Sequence, residues 1–203
     1  MKELDCRGLA CPQPVITTKK ALDTMVSDTL ITIVDNETAR ENVSLFARNA
    51  GCGVSVEQKG ADFYITITKG EETPGVKETV PEVKPAAAGE NAGTVYFISS
   101  NVLGQGSPDL GMTLMKSLMN TLSETDPLPG TLIFLNSGVY LTCEGSVVLE
   151  KLLMMGSRGV KILSCGTCLE YYKLKEKLQV GIISNMYDIN NILTGPGKVI
   201  TVA

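Results

Sequence analysis

The 203-residue chain has no histidine and no tryptophan. The missing histidine excludes Cys–His nucleophile pairs, Ser–His–Asp triads and imidazole metal ligands together. A reactive side chain here must be tuned by a helix end, lysine or arginine. A charge excess of positive sign is also lacking: 18 Lys+Arg face 22 Asp+Glu, a net of −4. Residues 1–70 carry eight against nine, residues 71–93 two against five, and residues 94–203 eight against eight. Neither half offers the basic face that a phosphate backbone requires, so nucleic acid is not an expected partner. No apolar run is long enough to span a membrane. The opening "MKELDCRG" lacks the apolar core of a signal peptide. A cytoplasmic protein with no membrane partner is expected.

The six cysteines are Cys6, Cys11, Cys52, Cys143, Cys165 and Cys168. Their spacing is not that of a secreted disulfide framework, and the cytosol keeps thiols reduced. They are to be read as core residues or as chemistry.

Residues 70–93, "GEETPGVKETVPEVKPAAAGENAG", hold three prolines, a run of three alanines and seven charged residues. Neither helical nor strand periodicity is present, and the segment reads as an extended, mobile linker. The expected organisation is a domain over 1–70, a linker over 71–93 and a domain over 94–203. No repeat relates the two parts.

In the first part a short strand around "ELDC" precedes a helix that buries Val15, Thr18, Leu22 and Met25. A β-rich run follows at 30–34. Residues 37–51 place Ala39, Val43, Phe46, Ala47 and Ala50 on one helical face, with Gly51 or Gly53 as the stop. A hairpin with Phe63, Ile65 and Ile67 on one face completes a β-α-β-α-β-β order. That order predicts a two-layer α/β sandwich, near the lower size limit for an independent core.

The second part alternates near-continuous apolar strands at 94–99, 131–135, 160–164, 180–184 and 198–202 with helical stretches. This predicts a doubly wound parallel sheet of about five strands, covered on both faces. The clearest helix starts at Ser107 and Pro108, with Leu110, Leu114, Leu118 and Leu122 as its stripe. Met112, Met115 and Met119 read as core fillers or an oligomer face. The functional crevice of such a sheet lies beyond the C-terminal strand ends. "SNVLGQGS", "NSGVYLTC" and "SCGTC" fall there, and Asn101 and Asn136 are candidates to line it.

Two cysteine motifs carry chemistry. Cys11 directly precedes Pro12, and Pro14 follows in the same first turn. Proline suits that turn because its missing N–H has no partner there anyway. Cys11 is expected at the cap, where the positive helix end favours thiolate. Arg7 and Gly8 precede it and Lys19 and Lys20 follow. The bland alternative is a small capping residue. Cys165-Gly-Thr-Cys168 follows a strand and opens a helix, which fits a redox dithiol, half a zinc site, or two packed cysteines. Zinc needs four ligands; Cys143 offers a third and no histidine completes the set, so no metal is expected. "GQGS", 104–107, has the form of an anion or flavin-phosphate cradle, but a short Gly-rich turn is common and no cofactor is expected. Cys6 and Cys52 read as core, and Cys143 is left open.

The segment "LDCRGLACPQPVITTKKAL", residues 4–22, resembles the signature of the TusA/SirA sulfur-carrier family. The resemblance implies that Cys11 carries sulfane sulfur as a persulfide, with Pro12 and Pro14 shaping the turn and Arg7 positioning or charge-stabilising the site. More weakly, "GQGSPDLG" and a cysteine ending the third strand resemble the DsrE/TusD-like sulfur-transfer family. That implies Cys165 as the sulfur acceptor, Cys168 as a resolving or disulfide-forming partner, and a homo-oligomer through the C-terminal domain. The combination resembles the YedF-type selenium-metabolism proteins. It implies a sulfur or selenium relay between a cysteine desulfurase or selenium donor protein and a downstream acceptor protein. The residues leave a thiol–disulfide oxidoreductase using CGTC, or a regulatory module without a covalent intermediate, as alternatives.

Overall fold

A computed structural model describes residues 2–10, 12–25, 29–69 and 93–203. Cys11 and, apart from Gly93, the segment 71–93 lie outside the described residues. The chain divides into two compact units, Met1–Gly89 and Glu90–Ala203.

The first unit runs β1 (Lys2–Asp5), α1 (Gln13–Thr24), β2 (Thr29–Val34), α2 (Glu37–Asn49), β3 (Cys52–Lys59) and β4 (Asp62–Lys69). Its sheet has the order β1-β2-β4-β3, with β1 parallel to β2 and the other pairs antiparallel. Register pairs Leu30 with Ile67, Thr32 with Ile65 and Val34 with Phe63, which puts the alternate apolar residues on one face. Helices α1 and α2 bury Val15, Leu22, Val43, Phe46 and Ala47. Thr18 is fully buried; its hydroxyl donates to the Pro14 carbonyl at 2.8 Å and lies 3.2 Å from the Thr32 hydroxyl. This pair fixes α1 to the sheet without an orphaned polar group.

The ends of both helices follow from local chemistry. The cap of α1 is Pro12 rather than Cys11, and the first i→i+4 bond runs from the Ile16 N–H to the Pro12 carbonyl at 3.1 Å. The Gln13 N–H donates to the Ala10 carbonyl at 2.9 Å, so the prolines delay the helix by one residue. Met25 lies past the last turn and is only half-buried. Asn36 caps α2 by accepting from the Ala39 N–H at 2.8 Å, a contact worth about 1 kcal/mol. Gly51, at φ 72°, reverses the chain after Ala50, which is therefore exposed rather than on the buried face.

The second unit runs β5 (Val95–Ile98), α3 (Pro108–Glu124), β6 (Thr131–Phe134), a 3-10 turn (Asn136–Thr142), α4 (Leu149–Ser157), β7 (Lys161–Cys165), α5 (Gly166–Tyr171), β8 (Ile182–Ser184), α6 (Met186–Leu193) and β9 (Val199–Val202). Its five strands are all parallel, in the order β8-β7-β6-β5-β9. One core joins α3 and α4 to Ile98, Leu132, Phe134 and Ile162. A second core packs Ile189 of α6 against Val95, Ile133 and Leu163 on the other face. Right-handed crossovers require this change of face, because the chain reverses direction to place β9 beyond β5.

The expected leucine stripe of α3 reaches the core only in its second half: Leu122 is buried and Leu118 packs against the core, whereas Leu110 and Leu114 are 57% and 40% exposed. In the first half Gly111 and Met115 face inward, followed by Met119. Gly111 sets this phase. A Cβ there would lie 3.0 Å from the Val102 Cβ and 3.2 Å from the Leu103 carbonyl, and the Gly111 carbonyl accepts from the Leu103 N–H at 3.0 Å. The glycine lets the β5–α3 loop lie on the helix, and the two methionines fill the space behind it. Met119→Ala is expected to lower the stability of this unit by about 2–5 kcal/mol, while Leu114→Ala costs under about 1 kcal/mol, measured by urea denaturation.

Candidate functional site

The loop after β1 is tied down by three carboxylates. Arg7 forms a fork with Asp5, Nε at 2.9 Å from Oδ1 and Nη2 at 2.7 Å from Oδ2. Its Nη1 reaches Asp62 Oδ2, at the start of β4, at 2.9 Å. The Gly8 N–H donates to Asp35 Oδ2 at 2.7 Å, and Asn36 Nδ2 holds the other Asp35 oxygen at 2.9 Å. Gly8 sits at φ 70°, a left-handed conformation that glycine adopts at no steric cost. The Arg7 side chain holds the Asp5 carboxyl down at about 2, and the Gly8 N–H, first among its partners, lowers Asp35.

Thus the Arg7 charge is engaged by two carboxylates and positions the loop. Residues 7–10 are exposed, Pro12 is half-buried and Pro14 is buried in the first turn of α1. Cys11 itself lies outside the described residues. Cys6 and Cys52 are 1% and 7% exposed, and burial pushes both thiols up.

In the second unit, parallel pairing aligns Phe134 with Ser164 and so brings the ends of β6 and β7 together. Leu135 and Asn136 leave one strand and Cys165 ends the other. Asn136 turns the chain at φ 46°, a conformation asparagine tolerates better than most residues. Its N–H donates to Cys168 Sγ at 3.1 Å. Its Oδ1 accepts from the Tyr172 hydroxyl at 2.8 Å. Cys168, one helical turn after Cys165, packs against the core cluster that holds Cys165.

The neighbouring Cys165 side chain, together with the Asn136 N–H and against partial burial, lowers Cys168 to about 6. The Cys168 side chain and burial push Cys165 up, against the backbone N–H groups of Cys168 and Thr167, which favour its thiolate. The acidic sulfur is also the accessible one: Cys165 is 3% exposed and Cys168 is half-buried. Tyr140 and Tyr171 flank Tyr172, with ring centroids 5.0 and 5.1 Å away.

The remaining sequence candidates stand apart from this pair. Cys143 is 1% exposed, donates to the Val139 carbonyl at 3.2 Å and is pushed up by burial. The Asn101 N–H donates to Ser137 Oγ at 3.4 Å. In "GQGS" the Gly104 N–H donates to the Ala203 carbonyl at 2.9 Å, so it is not aimed at a ligand. The strand-order reversal lies between β5 and β9, whereas the cysteine pair lies at β6 and β7. Among the described residues no cluster of ligating side chains could hold a metal, and no helix is long and apolar enough to cross a membrane.

Residues 2–69 match the family model of the sulfurtransferase TusA. A Methanocaldococcus jannaschii protein named as a candidate sulfur carrier is 41% identical over 71 residues, which cover 34% of this chain and 95% of that protein. The chain belongs to the TusA family. A SirA-like protein of Desulfitobacterium hafniense is 32% identical, with a TM-score of 0.33, over 35% of this chain and all of that one. A Methanobacterium thermoautotrophicum protein of unknown function and the E. coli ychN protein are each 15% identical over 53% of this chain, with TM-scores of 0.41. They are covered to 96% and 98%.

The TusA-family match spans Arg7, Gly8, Cys11, Pro12 and Pro14, together with the carboxylates that hold the loop. Sequence reasoning missed Asp35, Asp62 and Tyr172. Asp62 and Tyr172 act from distant positions, and no local spacing announces them. Asp35 had a signal, the Asp-Asn pair that ends β2 before α2.

Arg7→Ala is expected to return the Asp5 carboxyl toward its ordinary value of about 3.9, followed by NMR pH titration. With a depressed folded value, the Asp5 contribution is present above about pH 4 and is lost as pH falls toward 2. Being exposed, it is weakened by salt. In the second unit, the alkylation rate of Cys168 by iodoacetamide should inflect near pH 6. Cys165→Ala should move that inflection up toward the ordinary thiol value of about 8.5.

Proposed function

We propose that this TusA-family chain is a sulfur or selenium carrier that relays the chalcogen as a cysteine persulfide or perselenide. The observation that carries the reading is the family match over residues 2–69, which contains Cys11-Pro12-Gln13-Pro14. The exposed loop up to Ala10, clamped by Asp5, Asp35 and Asp62, and the start of α1 at Gln13 support it. The Cys11 thiolate attacks the outer sulfur of a donor persulfide and keeps it, and the donor leaves as thiolate. The positive end of α1 favours both anions.

A cysteine desulfurase or selenium donor protein loads Cys11. A downstream acceptor protein or the CGTC pair of the second unit unloads it. Covalent joining of the two units raises the effective concentration of one sulfur at the other. The second unit acts as a DsrE-like partner, and the exposed Leu110, Met112 and Leu114 of α3 support self-association through it. The setting is the cytoplasm, and no cofactor is required.

A second reading, a thiol–disulfide oxidoreductase, is favoured by the placement of Cys165 and Cys168 around the first turn of α5, packed against one core. It makes Cys11 dispensable.

Intact-protein mass spectrometry after incubation with a cysteine desulfurase and cysteine, without reductant, separates the two. The relay predicts a gain of one sulfur that is lost in Cys11→Ser. No gain, or only the loss of two protons in a Cys165–Cys168 bond, favours the oxidoreductase.

A further inference from the structure

The pair in the second unit is ordered from outside to inside. Cys168 is half-buried, and its sulfur accepts the Asn136 N–H at 3.1 Å. Cys165, one helical turn earlier, is 3% exposed and lies in the core cluster against which Cys168 packs. A carrier that only stores sulfane sulfur needs the first thiol. The second stands behind it, on the side away from solvent.

We propose that the Cys165–Cys168 pair is a persulfide-reducing site: Cys168 takes a sulfane sulfur, and Cys165 expels it as hydrosulfide. This rests on the chalcogen-relay reading and adds a product, the free reduced chalcogen. In the first step Cys168 Sγ attacks the outer sulfur of R–S–SH. A Cys168 S–S bond forms, the donor S–S bond breaks and R–S⁻ leaves. In the second step Cys165 Sγ attacks Cys168 Sγ. The Cys165–Cys168 bond forms, the bond to the outer sulfur breaks, and that sulfur, still carrying its own proton, leaves as HS⁻ while the Cys165 proton passes to water. The pair loses two electrons and the sulfane sulfur gains them. A protein dithiol reductant resets the disulfide for another turnover. The same steps on a perselenide release hydroselenide.

The order of attack follows exposure: the half-buried Cys168 meets an external persulfide first, and Cys165, 3% exposed, reacts only with what Cys168 holds. Premature reaction with external electrophiles is prevented by burial.

The test uses the full chain with Cys11→Ser, so that released sulfide comes from the pair and the result is independent of loading at Cys11. Reduced, thiol-free protein receives one equivalent of glutathione persulfide. Hydrosulfide is trapped with monobromobimane, and the protein is mapped by peptide mass spectrometry. The expected result is one hydrosulfide per chain and a Cys165–Cys168 disulfide. Adding Cys165→Ser, or Cys165→Ala where serine perturbs folding, should retain the extra sulfur on Cys168 and slow release at least about ten-fold. Adding Cys168→Ser should abolish both loading and release. Retention of sulfur on the intact pair, release unaffected by the Cys165 variants, or loading of Cys165 in Cys168→Ser would overturn the proposal. Failure of the relay reading would show separately, as no Cys11-dependent gain with the desulfurase.

Discussion

The N–H of Asn136 on the Cys168 sulfur depends on the parallel pairing of β6 with β7 and on one left-handed residue. Pairing of Phe134 with Ser164 sets the two strand ends level. Asn136 then reverses the chain at φ 46° and aims its amide at the helix that starts after Cys165. A one-residue slip of that register would send the N–H elsewhere. The Tyr172 hydroxyl holds the Asn136 side chain, so the end of α5 supports the turn that serves its beginning. The cores on both sides of the sheet, and the glycine that phases α3, keep β6 and β7 level.

A chain without histidine must shift thiol acidity by other means, and its two units differ in how their charges are held. In the second unit the groups acting on the Cys168 sulfur are a backbone amide just past β6 and the cysteine that ends β7. These are neutral groups, so the anion they favour is not cancelled by a fixed cation and remains nucleophilic. In the first unit the nearby arginine is engaged by Asp5 and Asp62. It rigidifies the loop instead of supplying a free positive charge, which leaves the dipole of α1 as the favourable field near Pro12.

Much of the fold was legible because the patterns are local. The alternation at Phe63, Ile65 and Ile67 and the apolar strands of the second unit reflect burial on one face or on both, and burial is what periodicity encodes. The leucine stripe of α3 misled in its first half because leucine and methionine are equally suited to a core. The phase was decided by Gly111 against the Val102–Leu103 loop, a tertiary contact. The start of α1 moved from Cys11 to Pro12 because the two prolines restrict the turn more tightly than a capping preference does. At the sites, the cysteines and prolines were visible as residue types. The hydrogen bonds of Asp62 and Tyr172 were not, because their partners lie 55 and 36 positions away.

Spacing alone makes the two cysteines of CGTC equivalent; burial does not. The strand end holds Cys165 inside the sheet's second core, while one helical turn later Cys168 lies at the border of both cores, in reach of solvent. Solvent favours the ionised form at the outer position, and desolvation opposes it at the inner one. The interaction between the two sulfurs acts in the same direction, lowering Cys168 and raising Cys165. Cys168 is thus the outer and Cys165 the inner cysteine of the pair, an order that burial sets and spacing does not encode.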